Sequence, residues 1–311
     1  MGRITRPYFL LTVPELPEVE TVRRGLNQTT LHQPIEDTVV HLERTVGHPS
    51  AIAAFGAGLR GKAIAHWHRR GKYLLAELSQ PSATHDPESG ELNPGEQGAM
   101  AGGWLGVHLR MTGQLLWLHP SEPIQTHCRV RLLFNHQKEL RFVDQRTFGR
   151  MWWIPPTSTP ESIITGLQRL GPEPFSDSFS PEYLKQALGH RHRPIKNALL
   201  DQGIVAGIGN IYADESLFLS QIHPTTWCDR LDDPALEKLH HHIIQVLHAS
   251  IMEGGTTFSD FRDIKGINGN YGQMAWVYGL TGQPCRVCGT LIERLKLAGR
   301  STHFCPRCQA A

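Results

Sequence analysis

Four cysteines near the end of the chain, Cys285, Cys288, Cys305 and Cys308, restrict its fold more than any other feature. They stand as two Cys-x-x-Cys pairs with sixteen residues between them, a spacing at which two knuckles offer four thiolates to one tetrahedral zinc ion. Strand-like residues between the pairs suit a β-hairpin, so the pattern predicts a small zinc-bound module. A site closed by four thiolates has no open coordination position, and the expected zinc is therefore structural. Unpaired or redox-active thiols are the competing reading. Six cysteines in 311 residues, without a secretion signal, do not make a disulfide framework. Cys128 and Cys228 are accordingly expected as reduced thiols.

At the other end, Leu16, Val19, Val22 and Leu26 recur at roughly helical spacing. Pro17 suits a first helical turn, and Glu18 and Glu20 favour the positive end of a helix dipole. An amphipathic helix is expected to begin just after Pro14. On this pattern alone, Pro14 and Glu15 do no more than start it.

Between these ends the chain changes character several times. Residues 38–77 are mostly strand-like, and Lys72 to Leu78 read as a strand after a Gly71 turn. Residues 80–102 are rich in Ser, Pro, Gly and acids, which predicts a mobile surface insertion. Strand patterns resume over 104–118 and 129–143 and end near Ile154. Gly171 to Pro174 reads as an interdomain linker, and from Pro181 onward the patterns are helical: 182–188, 195–201, 214–219 and 234–252.

Several local motifs carry possible chemistry, each with a plainer alternative. Arg69, Arg70 and Lys72 form a basic cluster before a strand, which could simply be solvated surface. In His108 to Leu115, Met111 could fill the core, as could Phe148 in Asp144 to Gly149. Gly207 and Gly209 allow a backbone turn close enough to meet a phosphate, with Asn210 donating through its side-chain amide. A lone Gly-x-Gly is weak support for nucleotide binding, and no Walker loop is present. His240, His241, His242 and His248 lack the carboxylate or cysteine pattern of a second metal site and read as a solvated helix face.

Pro14 to Leu26, with its PELPE start, resembles the mature amino terminus of the formamidopyrimidine-DNA glycosylases, and the later motifs extend the resemblance over nearly the whole chain from Pro14. The resemblance implies an α+β protein: a β-sandwich domain over 14–154 carrying Pro14, a linker over 155–180, a helix-two-turn-helix domain over 181–272 and a zinc finger over 273–311. It implies a bifunctional DNA glycosylase and lyase acting on double-stranded damaged DNA, as a monomer and without an organic cofactor. Oxidised purines, 8-oxoguanine and formamidopyrimidines, would be removed and the strand cut by β,δ-elimination. The sister group that removes oxidised pyrimidines and a non-cutting lesion binder are the alternatives. Leu16, where that sister group tends to have glycine, and the intact Arg146 and Phe148 favour the purine branch.

By the same resemblance Pro14 is the nucleophile, and Glu15 manages protons during base loss. Lys72 contacts phosphate and assists β-elimination, and Arg300, at the tip of the zinc finger, serves the second elimination. Met111, Arg146 and Phe148 fill the void left by the extruded nucleotide. His127, Arg146, Arg191, Lys196 and Asn210 stand where the family contacts DNA.

The role of Pro14 has a chemical condition. A free amino-terminal proline is a secondary amine, and α-amino groups titrate near pKa ~8 against ~10.4 for lysine, so about a tenth of it is unprotonated at neutral pH. Attack on a sugar C1′ then yields an iminium ion, an electron sink for elimination. Thirteen residues precede Pro14 here, and within a chain its nitrogen is an amide without a usable lone pair. Residues 1–13 are therefore expected to be absent from the working protein, most simply because Val13 is a GTG start codon read as an internal valine.

Composition is compatible with this reading without carrying it. The chain is 40% hydrophobic and 19% charged, an ordinary globular balance, and no apolar run approaches the ~18 residues of a membrane span. A net charge of +2 is too small to mark a nucleic-acid binder, but residues 80–102 hold four acids and no Lys or Arg, which leaves +6 on the remainder. A reducing, bacterial-type cytoplasm is the expected compartment.

Overall fold

The computed structural model describes residues 13–80, 101–135, 137–256, 264 and 269–310. The leader up to residue 12 and residues 81–100 of the expected insertion lie outside them. The chain divides into two compact units, with boundaries after Glu18 and after Gln168.

The sheet unit begins with most of helix α1 (Leu16–Thr29). Val19, Val22 and Leu26 are buried to within 1%, as the helical spacing requires. Strands β1 (Ile35–Val40), β2 (Val46–His48), β3 (Ala63–Arg70), β4 (Tyr73–Ser79), β5 (Ala101–His108), β6 (Gly113–Leu118), β7 (Cys128–Phe134), β8 (Lys138–Asp144) and β9 (Arg150–Ile154) follow. They form one four-stranded sheet, β1-β7-β8-β6, and one five-stranded sheet, β2-β9-β5-β4-β3. Helix α2 (Ile52–Leu59) interrupts the span expected to be strand-like. Its alanines and glycines give little helical periodicity, and no side chain caps it. Ala101 already pairs with Ser79, so the expected insertion ends within a strand.

Of the three passages between the sheets, after β1, β5 and β8, the last two are corners that meet at one place, Leu109–Thr112 and Gln145–Gly149. Register puts both at one end of the unit: Tyr73, His108 and Arg150 pair in one row, and Gly113 pairs with Asp144. Arg110 and Thr147 take positive φ to make these corners. Buried Asp144 ties them together, accepting from Thr112 Oγ1 at 2.5 Å and Gly149 N at 2.8 Å, while Arg146 N donates to Thr112 Oγ1 at 2.9 Å. Two short helices, α3 (Pro160–Ile163) and α4 (Thr165–Gln168), close the unit within what the sequence marks as linker.

The second unit contains residues 13–18, 169–256 and 269–310 among those described. Helices α5 (Pro181–Leu188), α6 (Ile195–Leu199), α7 (Asn210–Leu219) and α8 (Asp233–Met252) surround one apolar core that includes Leu184, Ile195, Ile208, Tyr212 and Leu247. Helices α5 and α8 begin with proline in the first turn and a side-chain cap, Ser180 or Asp232. Hairpin β10 (Glu293–Leu297) and β11 (Arg300–Phe304) completes the unit, so the zinc module is continuous with the helices. Leu16 belongs to this helical core, and the Pro14 end of the chain groups with it.

Within the sheet unit, Glu20 has a legible effect on pH stability. Burial opposes its charge, but hydrogen bonds from Arg23 and Arg24 and the charge of Arg69 outweigh this and hold its carboxyl at about 2, below the ordinary 4.5. A depressed folded-state pKa stabilises the fold above the unfolded value and loses that contribution as pH falls. Urea midpoints measured from pH 5 to pH 2 are expected to fall less steeply for Glu20→Gln than for the parent. Equal slopes would remove Glu20 from the account.

Candidate active site

The expected nucleophile and its neighbour are built into the helical unit. Pro14 is buried. Leu16 N donates to Gly207 O at 3.0 Å, and the Leu16 side chain is fully buried. Between them, the Glu15 carboxylate meets the N-terminus of α7, accepting from Ile211 N at 3.0 Å and Tyr212 N at 3.5 Å. Gly209, which precedes α7, has no side chain to cap it; Glu15, nearly two hundred residues away in sequence, satisfies these otherwise unpaired amides and matches the helix dipole.

The two glycines of the Gly-x-Gly turn explain themselves here. A Cβ on Gly209 would stand 2.2 Å from Glu15 Cδ, and one on Gly207, whose φ is +88°, would stand 2.6 Å from Leu16 Cδ1. The close approach that the sequence assigns to a phosphate is occupied by the chain's own Pro14 to Leu16 segment.

Glu18 supports the same segment. Its carboxylate accepts from Glu15 N at 2.9 Å, Tyr212 OH at 2.5 Å and Thr256 N at 2.7 Å. Complete burial nevertheless pushes its pKa up, and burial beside Glu18 pushes the Tyr212 phenol up as well. The sequence reading places Glu18 only at the positive end of the helix dipole and as a secondary helper of Glu15.

Lys196 differs from its expected part as a DNA-contacting base. It has no exposed surface; its ammonium pairs with Asp214 at 2.7 Å and donates to Ser301 O at 2.9 Å and Thr302 Oγ1 at 2.8 Å. Burial pulls its pKa down, against the opposing charges of Asp214 and Glu15, with Arg300 adding to the decrease. Asn210 is half-buried and donates to Ser301 O at 3.0 Å. Arg191 and Arg300 are exposed.

The four cysteine sulfurs lie within 4.8 Å of one another. Cys288 and Cys305 are 3.4 Å apart, and Cys285 and Cys308 are 3.9 Å apart. Tetrahedral zinc with bonds of about 2.3 Å places sulfurs about 3.8 Å apart, so the donor set fits. Val287 N and Cys308 N each point at a sulfur at 3.4 Å, favouring thiolates. Among the described residues this is the one group of three or more His, Cys, Asp or Glu side chains able to hold a metal. His240 and His242 instead contact Phe179 O and Ser220 Oγ.

In the sheet unit, the remaining candidates gather at the end defined by the two corners. Lys72 follows the Gly71 turn, and its charge acts on buried His108, which accepts from Arg110 N at 3.0 Å. Met111 is half-buried and Arg146 exposed. Phe148 is 50% exposed, which excludes the core-filler reading, and the Arg146 guanidinium lies 5.2 Å from its ring centroid. His127 Nδ1 is 3.1 Å from the Arg129 guanidinium.

Known proteins match this arrangement closely. Family models described as the formamidopyrimidine-DNA glycosylase N-terminal domain, its H2TH domain and a zinc finger found in FPG and IleRS match residues 13–151, 170–262 and 282–311. The formamidopyrimidine-DNA glycosylase of Acaryochloris marina is 57% identical over 297 residues, 96% of this chain and 99% of its own. This chain belongs to the formamidopyrimidine-DNA glycosylase family. The Nostoc punctiforme member is 59% identical over 297 residues, 96% of each chain. A complex of Lactococcus lactis Fpg with DNA containing an abasic site has a TM-score of 0.82 at 33% identity, covering 96% of this chain and all of that one. Wild-type L. lactis Fpg bound to DNA with an oxidised pyrimidine gives the same TM-score, identity and coverage. The glycosylase is thus a DNA-repair enzyme with one structural zinc held by Cys285, Cys288, Cys305 and Cys308.

Asp144, Asp214 and Glu215 escaped the sequence reading as organising residues. Their signal was faint: two adjacent acids on an otherwise apolar helix, and one acid at a strand end. Gly209→Ala provides a direct check on the docking of Glu15. Its methyl group cannot coexist with the observed Glu15 position, so turnover of damaged DNA is expected to fall by about a hundredfold with zinc content unchanged. Parental turnover by a folded Gly209→Ala protein would contradict the geometry.

Proposed function

We propose that this glycosylase removes oxidised purines, 8-oxoguanine and formamidopyrimidines, from duplex DNA and then cuts the strand by β,δ-elimination, with Pro14 as nucleophile. The free Pro14 amine attacks C1′ of the damaged nucleotide, the C1′–base bond breaks and the amine loses its proton; the C1′–O4′ bond then opens as O4′ takes a proton, and the resulting iminium ion accepts the electron pair released when a C2′ proton is removed in elimination. Glu15 stands beside the nucleophile as the group to move a proton to the sugar ring oxygen. Lys72 assists the first elimination at the neighbouring phosphate and Arg300 the second, which leaves a one-nucleotide gap with phosphate at both ends. Met111, Arg146 and Phe148 occupy the vacated stack, a role supported by the exposure of the phenyl ring and the cation over its face. His127, Arg191 and Asn210 are proposed as further DNA contacts. The enzyme is proposed to act as a cytoplasmic monomer.

The single observation that carries this reading is the attachment of Glu15 to the α7 N-terminus, which holds the adjacent Pro14 at one place. Val13 acylates the Pro14 nitrogen in the full sequence, so the chemistry requires a chain that begins at Pro14. The match to the family's N-terminal domain begins at residue 13, which supports that start.

Borohydride trapping on 8-oxoguanine duplexes tests the proposal with two proteins, one beginning at Met1 and one at Pro14. Covalent adducts are expected from the second alone. Adducts formed equally after Pro14→Gly, or normal incision by a protein whose intact mass retains Met1, would overturn it. A parallel duplex carrying an oxidised pyrimidine is expected to be cut more slowly; the reverse order would favour the sister-group activity.

A further inference from the structure

Adjacent acids on α7 grip the zinc module at two places. Glu215 accepts from the backbone amides of Trp276, Val277 and Tyr278 at 2.8–3.0 Å, ahead of the first cysteine knuckle. Asp214 reaches the hairpin itself. Its Oδ2 accepts from His303 N at 2.9 Å and lies 3.2 Å from His303 Nδ1, and its Oδ1 pairs with Lys196. Lys196 then donates to the next two residues toward the hairpin tip, Thr302 and Ser301, and Asn210 adds a second bond to Ser301 O.

Residues 301–303 are therefore held on their inner side by α6 and α7. Arg300, the next residue, is exposed, and Gly299 before it has φ of +79° with open space around its Cβ position. The hairpin tip has no comparable anchorage of its own among the described contacts. Helix α7 meanwhile holds Glu15 with its first turn, and the charges of Glu15, Asp214 and Arg300 all act on the Lys196 ammonium. One rigid helix sets the Pro14–Glu15 segment and the Arg300 strand in a common frame.

We propose that Asp214, acting with Lys196, is a positioning residue that fixes where the Arg300 side chain stands relative to Pro14, and so controls the second elimination step. Zinc shapes the hairpin; the Asp214–Lys196 pair sets its register against α7. The inference rests on the role assigned to Arg300 above. It separates two steps that share one nucleophile: base removal and covalent capture depend on Pro14 and Glu15, whereas the ratio of δ- to β-elimination products depends on Arg300 as well.

The test measures that product ratio on a preformed abasic-site duplex, with borohydride trapping yield and zinc content alongside, for proteins beginning at Pro14. Asp214→Asn keeps an acceptor for His303 N but leaves the Lys196 charge unopposed, and it is expected to lower the δ/β ratio about tenfold, the scale of a sub-ångström misplacement. Thr302→Val removes one Lys196 acceptor with little change of shape and is expected to lower the ratio about threefold. Trapping yield and one zinc per chain are expected to persist in both, a combination that general unfolding would not give.

Arg300→Ala serves as the reference. If it lowers the δ/β ratio while folded, zinc-bound Asp214→Asn and Thr302→Val keep the parental value, the positioning role is overturned and the Arg300 role stands. An unchanged ratio in Arg300→Ala would overturn the underlying reading and this inference with it. Should Asp214→Asn lose zinc or fail to fold, Thr302→Val decides.

Discussion

The carboxylate of Glu15 on the amides of Ile211 and Tyr212 is the contact on which the helical unit turns. A helix N-terminus presents unpaired N–H groups and a partial positive charge, and elsewhere in this unit local residues answer them, as Ser180 and Asp232 do. At α7 the local residue is glycine, and the answer comes from the distant end of the chain. The same contact thus satisfies buried donors, attaches the Pro14 segment to the core and leaves a carboxylate next to the proposed nucleophile. Glycine at 209 follows from it, because any side chain there would occupy the volume of Glu15.

The other features of the unit extend from α7. Its first turn holds Glu15, its middle holds the zinc module through Asp214 and Glu215, and Phe218 packs into the small core shared with Cys285 and Cys305. The zinc module is too small to bury much apolar surface, so metal coordination and docking on α7 replace a large core of its own. The sheet unit solves a different problem. There the exposed Arg146 and Phe148 ride on a corner between two sheets, which Asp144 and Thr112 tie to the strand ends.

Patterns of local origin were readable from sequence. Helical spacing from Leu16 to Leu26, the strands after Gly71, the proline-led helices α5 and α8 and the cysteine knuckles each depend on residues close together in the chain, and each is present. Helix α2 was missed because Ala and Gly give neither an apolar stripe nor a cap. Long-range pairings were not legible. Lys196 looked like a surface base among other bases, yet its partner is Asp214, eighteen residues on; nothing local says that both are buried. Gly207 and Gly209 signalled a close approach correctly in kind, but only the fold reveals that the approaching group is Glu15–Leu16. Phe148 reads as core by type, and its exposure depends on the corner that carries it.

Hydrogen exchange at the Ile211 and Tyr212 amides measures the central contact most directly. Both amides are expected to be protected in the parent and to exchange at least about tenfold faster in Glu15→Ala, with amides in the middle of α8 unaffected. Equal protection with and without the Glu15 carboxylate would contradict the account, since α7 would then be capped by something other than the residue beside Pro14.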